Sequence, residues 1–424
     1  MYRRACRSAC KLIQASRQDY FQQKLSSASD AKQRWSVVKH LLHSADTAVN
    51  FDDSESRRLC CDFSNFFVDK VMSLKQAVAK TVASLSPSPF TDPVYAGPQF
   101  LAIPPTTTAE VAKLLASLPP KSSSVDYIPT SLLKSCTVFA ELISKLANQS
   151  FAEGHFPSRF KFASVTPLLK KPGLDRGCVA NYRPISNLNN ISKIIERLFL
   201  ARFQPHILLS PNFNSMQSAY RPYHSTETAL NRTLNDVYQS IDRGEPTLLV
   251  SLDLSAAFDT IDHSSLLSRL NTSFGVSDTA LSWLASYLSG RSQAVRMGSV
   301  SSPTTNCVLG VPQGSVLGPI LFSTFVSPVG HLASSHQVKH QQYADDTQLY
   351  FSLSLLSSLI SASIHYSAAC IHFMLGFPLT VSHSIRPNLT PFFSLLVNDG
   401  SRLRLSHMLT SVVRMSSCLI LLPL

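Results

Sequence analysis

Two adjacent carboxylates stand inside a run of mixed apolar and polar residues, Gln342-Tyr-Ala-Asp-Asp-Thr-Gln-Leu-Tyr-Phe351. Such a run on either side of a short acidic break predicts two β-strands joined at Asp345 and Asp346. Like charges at a tight turn repel, and a fold rarely keeps them there unless a cation offsets the repulsion. In an open loop an Asp-Asp pair is usually a solvated turn. Between Tyr343 and an apolar strand it marks a cation site, because an unpaired buried charge is too costly to keep.

A second carboxylate arrives in the same manner. The apolar run Leu248-Leu-Val-Ser-Leu predicts a buried strand that delivers Asp253 at its C-terminal end, where α/β sheets place ligand-binding groups. Strand-ending aspartates also cap helices, so Asp253 alone is a moderate clue. Together Asp253, Asp345 and Asp346 offer three hard oxygen donors, the donor class that Mg²⁺ prefers. Two such ions, about 3.5–4 Å apart, suit an in-line displacement at phosphorus. Phe258 follows Asp253 by five residues. If Asp253 holds the metal of an incoming triphosphate, this ring would lie under the sugar and collide with a 2′-hydroxyl; as a plain core residue it would do neither.

Around these carboxylates lie candidate substrate contacts. Gly310, Gly314 and Gly318 allow a tight backbone in Leu309-Gly-Val-Pro-Gln-Gly-Ser-Val-Leu-Gly-Pro319, and Gln313 offers an amide to a base or template. No Gly-Lys-Ser/Thr follows, so this is not a Walker A loop. Upstream, Lys170, Lys171 and Arg183 supply cations suited to a triphosphate or a strand backbone, and Gln217-Ser-Ala-Tyr-Arg221 adds a further polar patch. Each of these is individually more common as surface than as site.

The rest of the chain bounds the reading. Among 424 residues, 38 Lys+Arg against 26 Asp+Glu give a formal charge of +12, which favours nucleic acid first and an anionic membrane second. Residues 1–85 form a basic, helix-like segment, and residues 86–106 a Pro-rich linker. The capping spacing of Thr107 and Glu110 starts a helix carrying Val111, Leu114, Leu115 and Leu118, and a second helix covers 139–151. Leu230, Leu234, Val237, Tyr238 and Ile241 predict one apolar helix face, and another helix stops at Gly290. Short apolar runs alternating with such helices from 160 to 353 indicate an α/β or α+β domain. The nine cysteines form no C-x-x-C pair and no four-ligand zinc pattern, and read as reduced intracellular thiols. From Leu355 to Leu424 there is no lysine. The uncharged stretch 351–385 is long enough for a membrane span, but its serines, His365, His372, His383 and Pro378 weigh against one. An out-of-frame or mis-spliced tail over 354–424 fits better.

Taken in order, six segments closely resemble the reverse transcriptase of non-LTR (LINE-type) retrotransposons across residues 107–353. They are Leu118-Pro-Pro-Lys-Ser-Ser-Ser-Val-Asp-Tyr-Ile-Pro-Thr130, Asn181-Tyr-Arg-Pro-Ile-Ser186, Gln217-Ser-Ala-Tyr-Arg221, Leu252-Asp-Leu-Ser-Ala-Ala-Phe-Asp259, Gly310-Val-Pro-Gln-Gly314 and Tyr343-Ala-Asp-Asp346. The resemblance implies an α+β right-hand polymerase whose fingers and palm, an antiparallel palm sheet with packed helices, occupy 107–353. It implies that Asp253 and Asp345 ligate two Mg²⁺ ions (or Mn²⁺) with the Leu254 carbonyl, supported by Asp346. Phe258 would be the sugar gate, Arg183 and Lys170 would face the triphosphate, and Gln313 and Gly314 would lie near template and nucleotide. The partners implied are an RNA template, a DNA primer and dNTP, with no membrane, in the nucleus or a cytoplasmic ribonucleoprotein. The chain departs from the family where an endonuclease would precede and a Lys-bearing palm segment and helical thumb would follow. It therefore reads as a truncated polymerase with its thumb absent or scrambled, or as a catalytically inactive nucleic-acid-binding remnant.

Overall fold

A computed structural model describes residues 2–30, 33–35, 37–38, 53–84, 92–171, 173–243, 247–252, 254, 256–352 and 419–421. Asp253 lies outside the described residues, as does the tail from 353 onward apart from 419–421. The chain divides into two compact units, residues 1–55 and 56–424. The first carries helix α1 (Tyr2–Ser26), along which Arg17 lies 6.0 Å from the Phe21 ring and Lys24 lies 5.7 Å from that of Tyr20. No helix among the described residues is long and apolar enough to cross a membrane.

The second unit is a mixed α+β structure built on two sheets. In the first, β2 (Tyr182–Leu188) is antiparallel to β1 (Phe162–Leu169), which runs parallel to β4 (Arg291–Met297). Short strands β5 (Val300–Ser301) and β6 (Thr305–Cys307) pair with β4. Pro167 and Pro184 face one another in this sheet. Proline brings no N–H to a ladder, and the β1–β4 pairing covers only Phe162 to Val165, so Pro167 removes no bond there.

The second sheet has the order β7-β8-β3-β9, from β7 (Lys339–Tyr343), β8 (Asp346–Ser352), β3 (Thr247–Leu252) and β9 (Leu419–Leu421). All its pairings are antiparallel. Tyr343 pairs with Asp346, so the hairpin forms as the acidic break predicts but turns at Ala344-Asp345, one residue earlier, with Asp346 opening β8.

Helices cover these sheets and bury the main core. They are α3 (Thr108–Ser117), α4 (Thr130–Ser135), α5 (Val138–Ala152), α6 (Asn190–Leu209), α7 (Thr226–Asp242), α8 (His263–Phe274), α9 (Asp278–Leu288), α10 (Gly318–Val326) and α11 (Pro328–Ser335). The Thr107 hydroxyl caps α3 by accepting the Glu110 N–H at 3.2 Å. The Glu110 carboxylate accepts from the Thr106 hydroxyl and is clasped by Arg202 at 2.8 Å, which holds it well down at about 2. Arg202 also donates to the Pro104 and Pro105 carbonyls, so the Pro-rich approach to α3 is tied to α6. At the centre Trp283 stacks on Phe199, with ring centroids 4.1 Å apart, and edges Phe156. Such aromatic packing adds roughly 0.5–1.5 kcal/mol per pair beyond burial.

Helix α7 buries Ala229, Thr233, Val237 and Ser240, while Leu230 and Tyr238 are 54% and 59% exposed. The apolar face expected from the large residues is therefore rotated by about one position. It meets the second sheet through small and polar groups: Asp236 accepts from the Tyr350 hydroxyl at 2.7 Å and from Lys339 at 2.8 Å.

Candidate active site

The turn between β7 and β8 places Asp345 half-buried and Asp346 exposed. Ala344 takes φ +57, a conformation that L-residues seldom adopt without support. Support comes from buried Gln217. Its amide nitrogen donates to the Ala344 carbonyl at 3.0 Å, and its amide oxygen accepts the Ala344 N–H at 2.9 Å. The same oxygen accepts the Ala219 N–H at 3.1 Å. The turn is thus fixed from outside its own hairpin.

Strand β3 runs beside β8, and its last residue Leu252 pairs with Thr347. Asp253 follows Leu252 in the chain, and Asp346 precedes Thr347. Beyond β3, Leu254 is buried, Ala256 turns the backbone at φ +53, and the Asp259 N–H returns to the Ala256 carbonyl at 2.8 Å. Phe258 stacks on Phe322 at 4.9 Å.

The glycine-containing loop is locked to this turn and to β2. Gly310 (φ +78) donates to the Ile261 carbonyl, and Val311 to that of Phe258, both at 2.8 Å. A Cβ at Gly310 would lie 2.7 Å from the Asp259 backbone, and one at Gly314 (φ +121) would lie 2.6 Å from the Ser186 carbonyl. Neither approach admits a side chain. Ser186 in turn donates to the Gln313 carbonyl at 2.8 Å. Behind the loop, fully buried Glu196 accepts from Ser192, from the Tyr287 hydroxyl and from the N–H groups of Val316 and Leu317. A carboxylate at the start of α10 also suits that helix's positive end.

These elements surround one cavity of about 570 Å³. Asp345, Leu254, Phe258, Lys170, Arg183 and Gln313 all line it, from segments scattered between positions 170 and 345. Gly314 packs behind the lining against Ser186, and Lys171 is exposed outside it. Lys70, Lys161 and Arg291 also line the cavity, so among the described residues cations outnumber the two acids, Asp259 and Asp345. Burial lowers the proton affinity of Lys170, and the neighbouring charge of Lys70 lowers it further. Burial pushes Asp259 up to about 6, with Lys70 pulling the other way. The Tyr220 hydroxyl, which lines the cavity with Asp345, is raised by burial and then by the Asp345 charge.

Residues 169–362 match the reverse transcriptase (RNA-dependent DNA polymerase) family. The chain carries a reverse transcriptase domain.

It is 32% identical over 259 residues to a protein named probable RNA-directed DNA polymerase from transposon BS of Drosophila melanogaster, covering 59% of this chain and 28% of that one. It is 30% identical over 254 residues to the RNA-directed DNA polymerase from mobile element jockey of the same species, covering 58% and 27%. A Pol polyprotein from type-1 retrotransposable element R2 of Popillia japonica is 31% identical over 173 residues, 40% of this chain and 23% of that one. The chain spans under a third of the length of these relatives. The likeness to non-LTR retrotransposon reverse transcriptases drawn from six motifs is met by these matches.

Within the reverse transcriptase domain, no cluster of three or more His, Cys, Asp or Glu side chains is placed to hold a metal among the described residues, which do not include Asp253. The donors available are hard carboxylate oxygens, and they fit a divalent ion such as Mg²⁺ or Mn²⁺. Sequence reasoning quoted Gln217 only as part of a polar patch and did not single out Glu196, Asp259 or Lys70. Gln217 grips residues 127 positions away, a separation that one sequence does not signal.

Proposed function

We propose that this domain is the fingers and palm of an RNA-directed DNA polymerase, with 107–353 as that core, 1–85 a basic N-terminal segment, 86–106 a linker and 354–424 an atypical tail. The cavity that gathers Asp345 with Lys170, Arg183, Phe258 and Gln313 carries the reading. In it the β7-β8-β3 sheet is the palm, and the sheet around β1, β2 and β4 belongs to the fingers.

Two divalent ions would be held by Asp253, Asp345 and the Leu254 carbonyl, with Asp346 beside them; the pairing of Leu252 with Thr347 supports bringing these carboxylates together. When bound, such ions activate a primer hydroxyl and stabilise the leaving oxygen of an in-line displacement. The chain's own part is positioning. Lys170 and Arg183 offset the triphosphate charge, Phe258 packs against the sugar where a 2′-hydroxyl would sit, and Gln313 and Gly314 steer template and nucleotide. RNA template, DNA primer and dNTP are the partners.

A second reading keeps the nucleic-acid binding and drops the chemistry: an inactive remnant, favoured by the tail from 355 to 424, which carries no lysine. Primer extension on an RNA template separates the two. Polymerase function gives dNTP incorporation that chelation abolishes. The remnant gives salt-dependent binding with no incorporation in any divalent metal.

A further inference from the structure

Helix α2 (Asp53–Ser84) lies outside the residues that match the reverse transcriptase family, yet it forms a wall of the cavity. One face anchors it. Cys60, Phe63 and Phe67 are buried against Val165, Val295 and Val300, and Phe63 edges the Tyr182 ring at 4.8 Å. Lys70 falls three residues after Phe67 and seven after Phe63, on that same face. Packing of the aromatic residues therefore carries the lysine to the cavity.

Lys70 is half-buried and lines the cavity with Lys170 and Arg183. It is close enough to Lys170 for its charge to disfavour the second ammonium. The Lys170 ammonium donates to the Ala180 carbonyl at 2.7 Å, which fixes its place without neutralising it. Asp259 feels the Lys70 charge, but the two form no ion pair within 4 Å. Two ammonium groups from distant parts of the chain thus line one cavity, and among the described residues neither forms an ion pair within 4 Å. A phosphate group, with several acceptor oxygens and up to two charges, offsets that repulsion.

We propose that Lys70 is a substrate-positioning residue which, with Lys170, holds a phosphate group of the incoming nucleotide or of the bound strand. The assignment rests on the polymerase reading of the cavity. It extends the site to a helix that none of the six motifs includes.

Equilibrium binding to the full chain tests it, using a fluorescent dNTP in one arm and a short RNA–DNA hybrid in the other. Lys70→Gln is expected to weaken one arm by about fivefold or more, on the scale of one charge-assisted contact. The weakened arm identifies the source of the phosphate. Lys70→Arg should bind as the wild type does, and Lys80→Gln, an equal loss of charge on the exposed part of α2, should leave both arms unchanged. Unaltered binding by Lys70→Gln in both arms, or equal weakening by Lys80→Gln, overturns the assignment while leaving the polymerase reading intact. A wild-type chain that binds neither probe removes both.

Discussion

Gln217 holds Ala344 by both backbone polar groups, donating to its carbonyl and accepting its N–H. The residue next to Ala344 is Asp345, so a buried amide far away in sequence braces the turn from which one of the cavity's carboxylates projects. Gln217→Ala leaves both Ala344 groups without this partner, at roughly 1–3 kcal/mol for each buried group left unsatisfied. Nucleotide incorporation should fall by at least tenfold, and the melting temperature by several degrees. Gln217→Glu keeps the acceptor, loses the donor and should fall between. An alanine variant with wild-type kcat would show that the turn holds itself.

Glu196 gathers four donors in a fully buried site, two of them the N–H groups of Val316 and Leu317 that lead into α10. Removing one side of a buried charged network costs on the order of 3–5 kcal/mol. Glu196→Ala should therefore lose stability on that scale in urea unfolding, while Glu196→Gln, which keeps an acceptor, should lose less. Equal unfolding midpoints for all three proteins would contradict the role.

Phe258 stacks on Phe322 and also lines the cavity, which makes its position independent of any ligand. Phe258→Val should raise ribonucleotide incorporation relative to deoxyribonucleotide by about tenfold or more, the scale of a relieved steric clash of 1–3 kcal/mol. The measurement is the ratio of kcat/KM for rNTP and dNTP on one template. An unchanged ratio would return Phe258 to the core alone.

Asp259 is raised to about 6 because burial penalises its charged form. A carboxyl whose folded value exceeds its unfolded one favours folding while protonated. That contribution is complete below about 4 and is lost as pH rises through about 6. Asp259→Asn removes the cost of the charge. It should be the more stable protein at pH 8, by at most about 3 kcal/mol before screening by cavity solvent, and no more stable near pH 4. A stability gap that does not change with pH would refute the burial effect.

Much of this architecture was legible in the sequence because local physics writes it there. The hairpin around the acidic pair, the Thr107 cap, and the helix that ends before Gly290 each follow from a few neighbouring residues. Lys170, Arg183 and Gln313, each singled out in the sequence as a cation or an amide, line one cavity. What escaped depends on distant partners. Helix α7 shows its large apolar residues to solvent because it packs on polar groups of β7 and β8, with Asp236 bound to Tyr350 and Lys339, and periodicity counts only apolar size. Lys70 escaped because nothing local distinguishes it from other helix lysines until Phe63 and Phe67 are seated against Val165 and Val295.

Single-nucleotide incorporation opposite an RNA template, followed in one turnover with Mg²⁺, tests the proposed metal-holding role of Asp253 and Asp345 most directly. Asp345→Asn and Asp253→Asn should each reduce the rate by about a hundredfold or more, in line with losing several kcal/mol of transition-state stabilisation, while dNTP still binds. Incorporation by either variant at the wild-type rate would contradict the assignment.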